Sequence, residues 1–476
     1  MPYRDLREYL EVLEKKGLLC HIQAEVDKDW EISAVCRSTF QRIPQDRRPA
    51  LMFDRIKNHT MPLVIGVLGA SRRIYATALE TEIEGVLDKW ESGVERPLKA
   101  ELVGKGPCQE VIHKGEDADL EMLPAPIWSV TQDPGPYHTS PFVISRDPET
   151  GIQNMGVYRV QVKGPQRAGL MINPPRNMNH HIRKNESQGQ ATEVAFVFGI
   201  DPVVGLAAVT SFPYGVDELE VAGGVRGEPV EVVRCLTVDL EVPATAEIVV
   251  EGRVPCKGRE PEGPFGEYGG YMGTEGNHPF VEVTCITHRP DPIYQAFLSQ
   301  MPPSESSCIQ GLGREMVIFR HLKRNLGIPV TGVHLPESGG STGILLISIQ
   351  KQNRFQPLKA MMGAWSLHDV FGKMTIVVDE DIDIRDPSQV EWALSFRMQP
   401  AEDVHIVKGT APLTLDPSQP LLLGEKVNPT DQVSSKVGID ATRKHPYPAL
   451  AVPPKEHLEK VNAQWESYGI REVIQK

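Results

Sequence analysis

Two carboxylates, Glu262 and Glu267, lie close together in the segment Pro-Glu-Gly-Pro-Phe-Gly-Glu-Tyr-Gly-Gly, residues 261–270. Gly263, Pro264 and Gly266 exclude a helix and an ordinary central strand, so the segment must form a tight loop. Paired acids on a shaped loop suit proton transfer, because different surroundings push their pKa values apart. A solvated acidic turn contains the same residue types, so the rest of the chain must decide between the two interpretations.

A second group of polar residues could bind a metal. Asn154 offers an amide oxygen, His181 a ring nitrogen and Glu218 a carboxylate, a set of hard ligands suited to Mn²⁺ or Mg²⁺ with water or phosphate completing the shell. Taken singly, each has a simpler role as a satisfied polar residue or a first-turn acid. The chain has no G-x-x-x-x-G-K-[ST] motif, so we expect a bound phosphate to be held by metal and side chains rather than by a phosphate-binding loop.

Composition restricts the class of protein. A length of 476 residues predicts two or three domains, and 40% hydrophobic with 24% charged residues is typical of soluble globular proteins. The net charge of −13 argues against a nucleic acid or an anionic membrane as the main partner. Seven scattered cysteines without a C-x-x-C motif indicate reduced thiols, and no apolar run reaches membrane-spanning length. We therefore expect a cytoplasmic protein.

The elements that position these residues change character along the chain. The first hundred or so residues predict a small α/β unit, with one helix at Tyr75–Trp90. From Asp119 onwards, short strands separated by turns predict a barrel-like β domain. Its predicted strands are Phe142–Ser145, Met155–Val162, Ala195–Gly199, Leu206–Thr210, Val230–Leu236, Glu247–Val254, Phe280–Ile286 and Ile293–Phe297.

Alternating helices and strands return in the last third of the chain. Helices are predicted at Met316–Arg324 and Leu358–Val370, and strands at Val330–Leu335 and Thr375–Val378, which indicates a partly parallel sheet. The segment 421–445 is polar and punctuated by Gly and Pro. A terminal amphipathic helix at His457–Tyr468 is typical of elements that join two copies of a chain.

The motifs taken together resemble the UbiD-type decarboxylases, which act reversibly on aromatic and α,β-unsaturated acids with prenylated FMN. The resemblance covers nearly the whole chain and implies three domains. They are an N-terminal α/β domain (1–118), a split β-barrel that binds the flavin (119–314) and a C-terminal α/β dimerisation domain with a terminal helix (315–476). The motifs are Asn154-x-Gly-x-Tyr-Arg159, His181, Glu218 before Ala222-Gly223, Glu247-Ile-Val, Glu262-Gly-Pro-Phe-Gly-Glu267, Met361-Met-Gly-Ala-Trp365 and Ser435-Lys-Val-Gly-Ile-Asp-Ala-Thr442.

The resemblance also implies site residues. The catalytic set is Arg159, Glu262 and Glu267, and the metal that holds the flavin phosphate falls on Asn154, His181 and Glu218. Other cofactor contacts implied are Val157, Tyr158, Arg159, His180 and Lys359. A potassium ion beside the phosphate would use main-chain carbonyls near Ala208 and Thr210. The substrate pocket would be lined by the loop Gln300–Leu312 and by Tyr268.

The implied reaction is non-oxidative decarboxylation of an aromatic, heteroaromatic or α,β-unsaturated acid, free or as a CoA thioester, through a covalent adduct with the prenylated flavin. Loss of CO₂ from an sp² carbon leaves an anion without delocalisation, so a cofactor must supply the electron sink. Arg159 would orient a carboxylate and keep Glu262 ionised, while Glu267, in a drier position with a raised pKa, would deliver the proton. The implied partners are the acid, CO₂, a flavin prenyltransferase that supplies the cofactor, and further copies of the chain.

Two other functions fit some of these residues. A catalytically weak flavin-binding partner or assembly protein could keep the same fold, and a metal hydrolase could use Glu262 and Glu267. The intact set of Arg159, Glu262 and Glu267 favours the decarboxylase, because a binding module would not need a buried charged triad. The hydrolase does not explain the motifs of the β-rich middle.

Overall fold

The computed structural model describes residues 3–173, 176–210, 212–367, 371–413, 415–419 and 433–468. Within those ranges no helix is long and apolar enough to cross a membrane. Residues 368–370 of the predicted helix Leu358–Val370 and residues 421–432 of the polar segment 421–445 lie outside the described residues.

The N-terminal unit is a mixed α/β structure. Helix α1 begins at Asp5, whose carboxylate accepts a hydrogen bond from the Glu8 amide at 2.9 Å, and it buries one apolar face. The predicted helix at Tyr75–Trp90 is two helices, because Glu80 adopts a left-handed conformation (φ 54°) between them. The elements are α1 (Leu6–Lys15), β1 (Leu19–Val26), α2 (Glu31–Arg42), β2 (Ala50–Ile56), β3 (Leu63–Ile65), α3 (Arg72–Ala78) and α4 (Val86–Glu95).

The middle of the chain forms a curled sheet that makes half a barrel, which confirms the predicted split barrel. Its strand order is β6-β9-β10-β17-β14-β11-β7-β8, and β5 pairs with β17. The elements of this region are β4 (Glu101–Leu102), β5 (Val111–Lys114), β6 (Tyr137–His138), β7 (Phe142–Arg146), β8 (Gln153–Val157), β9 (Val160–Gly164), β10 (Arg167–Leu170), α5 (Asn177–Ser187), β11 (Thr192–Phe198), α6 (Pro202–Val209), α7 (Glu218–Arg226), β12 (Glu231–Arg234), β13 (Glu241–Pro243), β14 (Ile248–Val254), β15 (Glu260–Glu262), β16 (Gly276–His278), β17 (Phe280–His288) and β18 (Tyr294–Ala296).

Four strand predictions in this region need correction. The predicted strand Met155–Val162 is two strands, β8 and β9, and the strand predicted at Val230–Leu236, β12, pairs with β13 and β4 outside the curled sheet. The other two are wrong in different ways. Leu206–Thr210 belongs to helix α6, which Asp201 caps by accepting from the Val203 amide at 2.7 Å. A short, wholly apolar run does not distinguish a buried helix from a buried strand. Strand β18 exists, but it pairs in parallel with β3 and completes the N-terminal sheet β1-β2-β3-β18 instead of the barrel.

The C-terminal region carries a partly parallel sheet, as predicted. Its order is β19-β20-β21-β23-β22, with β20, β21 and β23 parallel to one another. The predicted helix Met316–Arg324 begins earlier, at Glu305, and β23 was not predicted because its sequence is polar. The elements are α8 (Glu305–Arg320) with a π-helical turn (His321–Asn325), β19 (Val330–His334), β20 (Ile344–Ile349), α9 (Gln356–Leu367), β21 (Met374–Asp379), α10 (Pro387–Arg397), α11 (Pro400–Asp403), β22 (Val404–Thr410), β23 (Ser434–Ala441) and α12 (Lys455–Ala463).

Helix α8 joins two hydrophobic cores. Leu312 packs in a core shared by the N-terminal unit and the barrel, whereas Ile318 packs in the core of the C-terminal sheet. The predicted domain boundary at residue 314/315 lies within this helix, between those two side chains. A shift of α8 in one core would therefore also displace its side chains in the other core.

Glu315 fixes α8 to both neighbours. Its carboxylate accepts hydrogen bonds from Arg72 of α3 at 2.7 Å and from Arg385 at 3.3 Å, and it lies 2.7 Å from Nδ1 of His334. Burial alone would raise the pKa of Glu315, but His334 and the two arginines lower it to about 2. The buried charge thus ties the N-terminal unit to the C-terminal sheet.

Glu305, at the start of α8, is a buried acid of a different kind. Its side chain is fully buried and accepts hydrogen bonds from the backbone amides of Gly66 at 2.9 Å and Leu68 at 3.1 Å. Burial raises the pKa of Glu305 to about 8, although these amides act in the opposite direction. Between about pH 4.3 and pH 8, Glu305 is therefore protonated in the folded protein but ionised in the unfolded chain, whose carboxyl pKa is about 4.3.

This difference predicts a pH-dependent loss of stability. Stability from the neutral Glu305 is fully present below about pH 4.3 and falls by up to about 1.4 kcal/mol per pH unit until the pKa of about 8 is passed. We expect the melting temperature of the wild type to fall relative to that of Glu305→Gln between pH 5 and 9. The exposed Glu116→Gln serves as the control. A constant difference between wild type and Glu305→Gln across that range would show that Glu305 does not titrate in this way.

Candidate active site

The loop after β15 has the tight shape that the sequence predicts. Glu262 is the last residue of β15 and pairs with Gly276 of β16. Gly263 follows in a left-handed conformation (φ 93°), and a Cβ there would lie 3.1 Å from the Thr274 carbonyl oxygen. The Glu267 amide then donates to the Tyr271 carbonyl at 2.9 Å, which closes the loop.

Arg159 lies between the ends of β8 and β9 and binds both carboxylates of this loop. Its Nε and Nη2 donate to the two oxygens of Glu262 at 3.0 and 2.9 Å, and Nη1 donates to Glu267 at 2.6 Å. The side chains of Arg159, Glu262 and Glu267 are 11%, 0% and 19% exposed. The structure thus brings the predicted catalytic set together in one buried ionic cluster.

The prediction that Glu267 is the drier of the two acids is wrong. Glu262, and not Glu267, is the drier side chain, because the bidentate pair with Arg159 carries it fully into the protein. Burial nevertheless raises the pKa of Glu267, and the Glu262 charge acts in the same direction against the lowering effect of Arg159. One guanidinium shared by two carboxylates leaves an excess negative charge, and Glu267 is the group that can take up a proton.

A cavity of about 230 Å³ opens beside this cluster. Glu267 and Arg159 form part of its wall, and the ring of Phe265 lies 5.3 Å from the Arg159 guanidinium. Of the other predicted contacts, Val157, Tyr158, Tyr268 and Ala208 line it as well. The remaining lining residues are Thr139, Met171, Asn173, Arg176, Val209, Gly266, Phe297, Ser299, Ser306, Ile309 and Gln310.

The three predicted metal ligands also meet at one place. Asn154 and His181 line the same small crevice, and the Asn154 amide nitrogen donates to Glu218 at 2.6 Å. The second Glu218 oxygen accepts from the Met155 amide at 2.8 Å. Burial raises the pKa of Glu218 to about 8 and lowers that of His181 to about 4.

These residues fit a hard divalent cation. Ser145 lies 2.9 Å from Nδ1 of His181, so Nε2 is the ring nitrogen left for a ligand. Rotation of the Asn154 amide would present its oxygen in place of its nitrogen. Within the described ranges no three His, Cys, Asp or Glu side chains form a metal cluster. An amide, an imidazole and one carboxylate would therefore need oxygen ligands from elsewhere to complete a shell.

Two predicted cofactor contacts lie elsewhere. Lys359 is exposed on α9 and donates to the Leu326 carbonyl at 2.8 Å, and it does not line the cavity. His180 is exposed on α5, with its ring centroid 5.4 Å from that of Tyr214. The side chain of Thr210 is hydrogen-bonded to the Leu206 carbonyl at 2.8 Å, at the end of α6.

Family models match almost the whole chain. The models are those of the 3-octaprenyl-4-hydroxybenzoate carboxy-lyase N-terminal domain (residues 10–92), Rift-related domain (101–302) and C-terminal domain (307–441). The chain belongs to the UbiD family.

Similar proteins agree with this assignment. An uncharacterized protein of Archaeoglobus fulgidus is 33% identical over 100% of both chains. The UbiD-class enzyme HmfF from Pelotomaculum thermopropionicum, in complex with FMN, is 37% identical over 96% of this chain and 100% of its own, with a TM-score of 0.86. An evolved dimeric form of HmfF was solved with prFMN, at 36% identity, covering 95% and 98% of the two chains, and a TM-score of 0.83. Vanillic acid decarboxylase from Sedimentibacter hydroxybenzoicus, in open form, is 27% identical over 100% of this chain and 99% of its own, with a TM-score of 0.82.

The segment Gln300–Leu312, predicted to line the substrate pocket, does border the cavity of this UbiD-family protein, but it is not a loop throughout. The predicted loop Gln300–Leu312 is helical from Glu305, and Ser306, Ile309 and Gln310 of α8 face the cavity. Their spacing of three and four residues is a helical signal, but Gly311 and Gly313 weaken it. Ser304, an N-cap that accepts from the Ser307 amide at 3.2 Å, would have marked the start of the helix.

The geometry predicts unequal effects of the two acids on stability. Glu262→Gln removes the fully buried partner of Arg159 and should lower the free energy of unfolding by about 3 kcal/mol. Glu267→Gln leaves the bidentate pair intact and should cost less than about 1 kcal/mol. Chemical denaturation of both cofactor-free variants measures the difference. Equal losses would contradict the assignment of Glu262 as the main partner of Arg159.

Proposed function

We propose that this protein catalyses the reversible, non-oxidative decarboxylation of an aromatic, heteroaromatic or α,β-unsaturated carboxylic acid. The observation that carries the proposal is the cluster of Arg159, Glu262 and Glu267 in the wall of a cavity, with the pKa of Glu267 raised. A permanent cation beside an acid that can be protonated suits recognition of a carboxylate and delivery of a proton.

The proposed cofactor is prenylated FMN, supplied by a flavin prenyltransferase. When bound, the prenylated flavin supplies the electron sink that protein side chains lack. Val157, Tyr158 and Arg159 line the cavity and are the residues we assign to hold it. The solved structures of the similar enzyme HmfF with FMN and with prFMN support a flavin cofactor.

The side chains then have separate roles. Arg159 orients a carboxylate through its guanidinium, while Glu262 holds that guanidinium in place through two hydrogen bonds. As the bond between the substrate carbon and its carboxyl group breaks and CO₂ leaves, Glu267 donates its proton to that carbon. Solvent reprotonates Glu267, and the reverse reaction uses the ionised Glu267 as the base.

Replacement of the proton donor should stop turnover without loss of cofactor. Glu267→Gln keeps the shape of the side chain and should lower the decarboxylation rate by roughly 10²–10⁴. Hydrogen–deuterium exchange at the product carbon should fall in parallel. Glu260→Gln, which replaces an acid of β15 that is paired with Arg167 and Lys163, is the matched control. Near-normal rate and exchange in flavin-loaded Glu267→Gln would move the role to Glu262.

The proposed metal is Mn²⁺ or Mg²⁺, held by Asn154, His181 and Glu218, where it would bind the flavin phosphate. A K⁺ ion would use carbonyl oxygens at Ala208 and Thr210. The last carbonyls of a helix such as α6 have no partner within the helix, which supports a cation site there. Both ions would neutralise phosphate charge and would take no part in the carbon chemistry.

Loss of one ligand should remove metal and flavin together. We expect purified Glu218→Ala to contain less than about a tenth of the wild-type metal and flavin, since ligand losses cost about 10–100-fold or more in affinity. Metal analysis and the flavin absorption band measure both. Glu220→Ala, on the same helix, should retain them. Full flavin occupancy in Glu218→Ala would rule out this metal site.

We further propose a homodimer or a larger homo-oligomer. The C-terminal segment exposes apolar side chains that a monomer leaves in water, namely Leu450, Val452, Leu458, Val461, Trp465 and Tyr468. An HmfF form is dimeric, which supports the same arrangement. Light scattering at micromolar concentration should give at least twice the chain mass of 52.8 kDa, and a monomer would contradict the proposal.

A further inference from the structure

Two histidines of the barrel face each other away from the proposed active site. His113 of β5 lies opposite Ile286 of β17, and His288 lies opposite Val111, so the antiparallel register makes the two histidines diagonal neighbours on one face. Their Nε2 atoms are 3.1 Å apart, with the ring planes inclined by 19° and the ring centroids separated by 5.2 Å. Because the centroids are farther apart than the nitrogens, the two Nε2 atoms point towards each other. Neither ring lines the cavity or the crevice at Asn154.

The second ring nitrogen of His288 fixes the position of its proton. Nδ1 of His288 lies 2.7 Å from the carbonyl oxygen of Arg289. A carbonyl oxygen only accepts hydrogen bonds, so Nδ1 carries the proton and Nε2 of the neutral ring carries a lone pair. Metal-binding histidines are oriented in the same way, by a ring N–H that donates to a carbonyl or a carboxylate. His288 therefore has the hydrogen-bonding environment of a metal ligand.

His113 can supply a second lone pair at the same point. The hydrogen bond between the two rings requires His113 to carry its proton on Nε2. A neutral imidazole can carry that proton on Nδ1 instead, and both Nε2 lone pairs would then be free for a cation. Two nitrogens that each lie 2.0–2.1 Å from a tetrahedral Zn²⁺ are about 3.3 Å apart. The observed 3.1 Å would therefore have to widen by only about 0.2 Å.

The charges around the pair are compatible with a cation. Arg289, which follows His288, is neutralised by Asp5 at 2.7 Å and Glu247 at 3.4 Å. His113 is only partly buried, so an ion can reach the pair from its side. Within the part of the chain that the structure describes, no third His, Cys, Asp or Glu completes a metal cluster. Water would fill the remaining positions, which is typical of an open site rather than a closed structural one.

We infer that His113 and His288 together bind a divalent cation that prefers imidazole ligands, Zn²⁺ above all. Mn²⁺ and Mg²⁺, the ions proposed for the Asn154 site, prefer oxygen ligands and should compete poorly here. Strand β5 has four residues and pairs with β17, so the ion would join these two strands by a link additional to their backbone hydrogen bonds. The inference does not depend on the proposed decarboxylation.

Titration calorimetry of the flavin-loaded protein with Zn²⁺ tests the inference, with excess Mg²⁺ present to occupy the oxygen-rich site. The proteins compared are the wild type, His113→Gln, His288→Gln and the control His21→Gln. His21 is also a strand histidine, but it is exposed and lies 2.9 Å from Asp54. We expect the wild type and His21→Gln to bind one equivalent with the same affinity. Each of the other two variants should bind it at least about tenfold more weakly.

Two further measurements separate ligand loss from damage to the fold, since His288 is 8% exposed and its replacement can disturb packing. The electron paramagnetic resonance spectrum of added Cu²⁺ should show two nitrogen ligands in the wild type and one in the partly exposed variant His113→Gln. Zn²⁺ should slow hydrogen exchange of the β5 amides in the wild type and leave it unchanged in His113→Gln. A wild type that binds no Zn²⁺ under these conditions, or a His113→Gln protein with undiminished affinity, would reduce the two rings to a hydrogen-bonded pair and overturn the inference.

Discussion

The rest of this site depends on one guanidinium, that of Arg159, which is shared by the carboxylates of Glu262 and Glu267. A buried arginine needs compensating charge, and Glu262 supplies it through a bidentate pair inside the barrel. Glu267 is then the second acid on the same guanidinium, mostly buried but part of the cavity wall. A glycine beside Glu262 leaves room for this arrangement. It is Gly169 of β10, where a Cβ would lie 3.2 Å from Cγ of Glu262.

Helix α8 connects the cavity beside this cluster to the C-terminal domain. Its first turns line the cavity and its later turns pack under the C-terminal sheet. Glu305 anchors the start of the helix to the N-terminal unit, and Glu315 binds both Arg72 and Arg385. The cavity is therefore bordered by a helix whose position depends on contacts with all three parts of the chain.

The sequence was most informative where chemistry limits the residue types. Gly263 and Pro264 predicted the loop, and the motif pattern predicted that Arg159 would meet both acids and that Asn154, His181 and Glu218 would lie together. It was least informative where packing decides. The apolar run of α6 fits a strand as well as a helix, and nothing local tells β18 to join the N-terminal sheet.

The most direct test of the account is CO₂ release from a panel of acids by protein made with and without a flavin prenyltransferase. The panel should include benzoates, furoates, pyrrole carboxylates and cinnamates, together with aromatic diacids, and the absorption spectrum should verify loading. The account predicts that only the protein loaded with the prenylated flavin releases CO₂, from at least one acid in the panel. A verified, loaded protein that neither releases CO₂ nor exchanges hydrogen at the product carbon for any acid would contradict it.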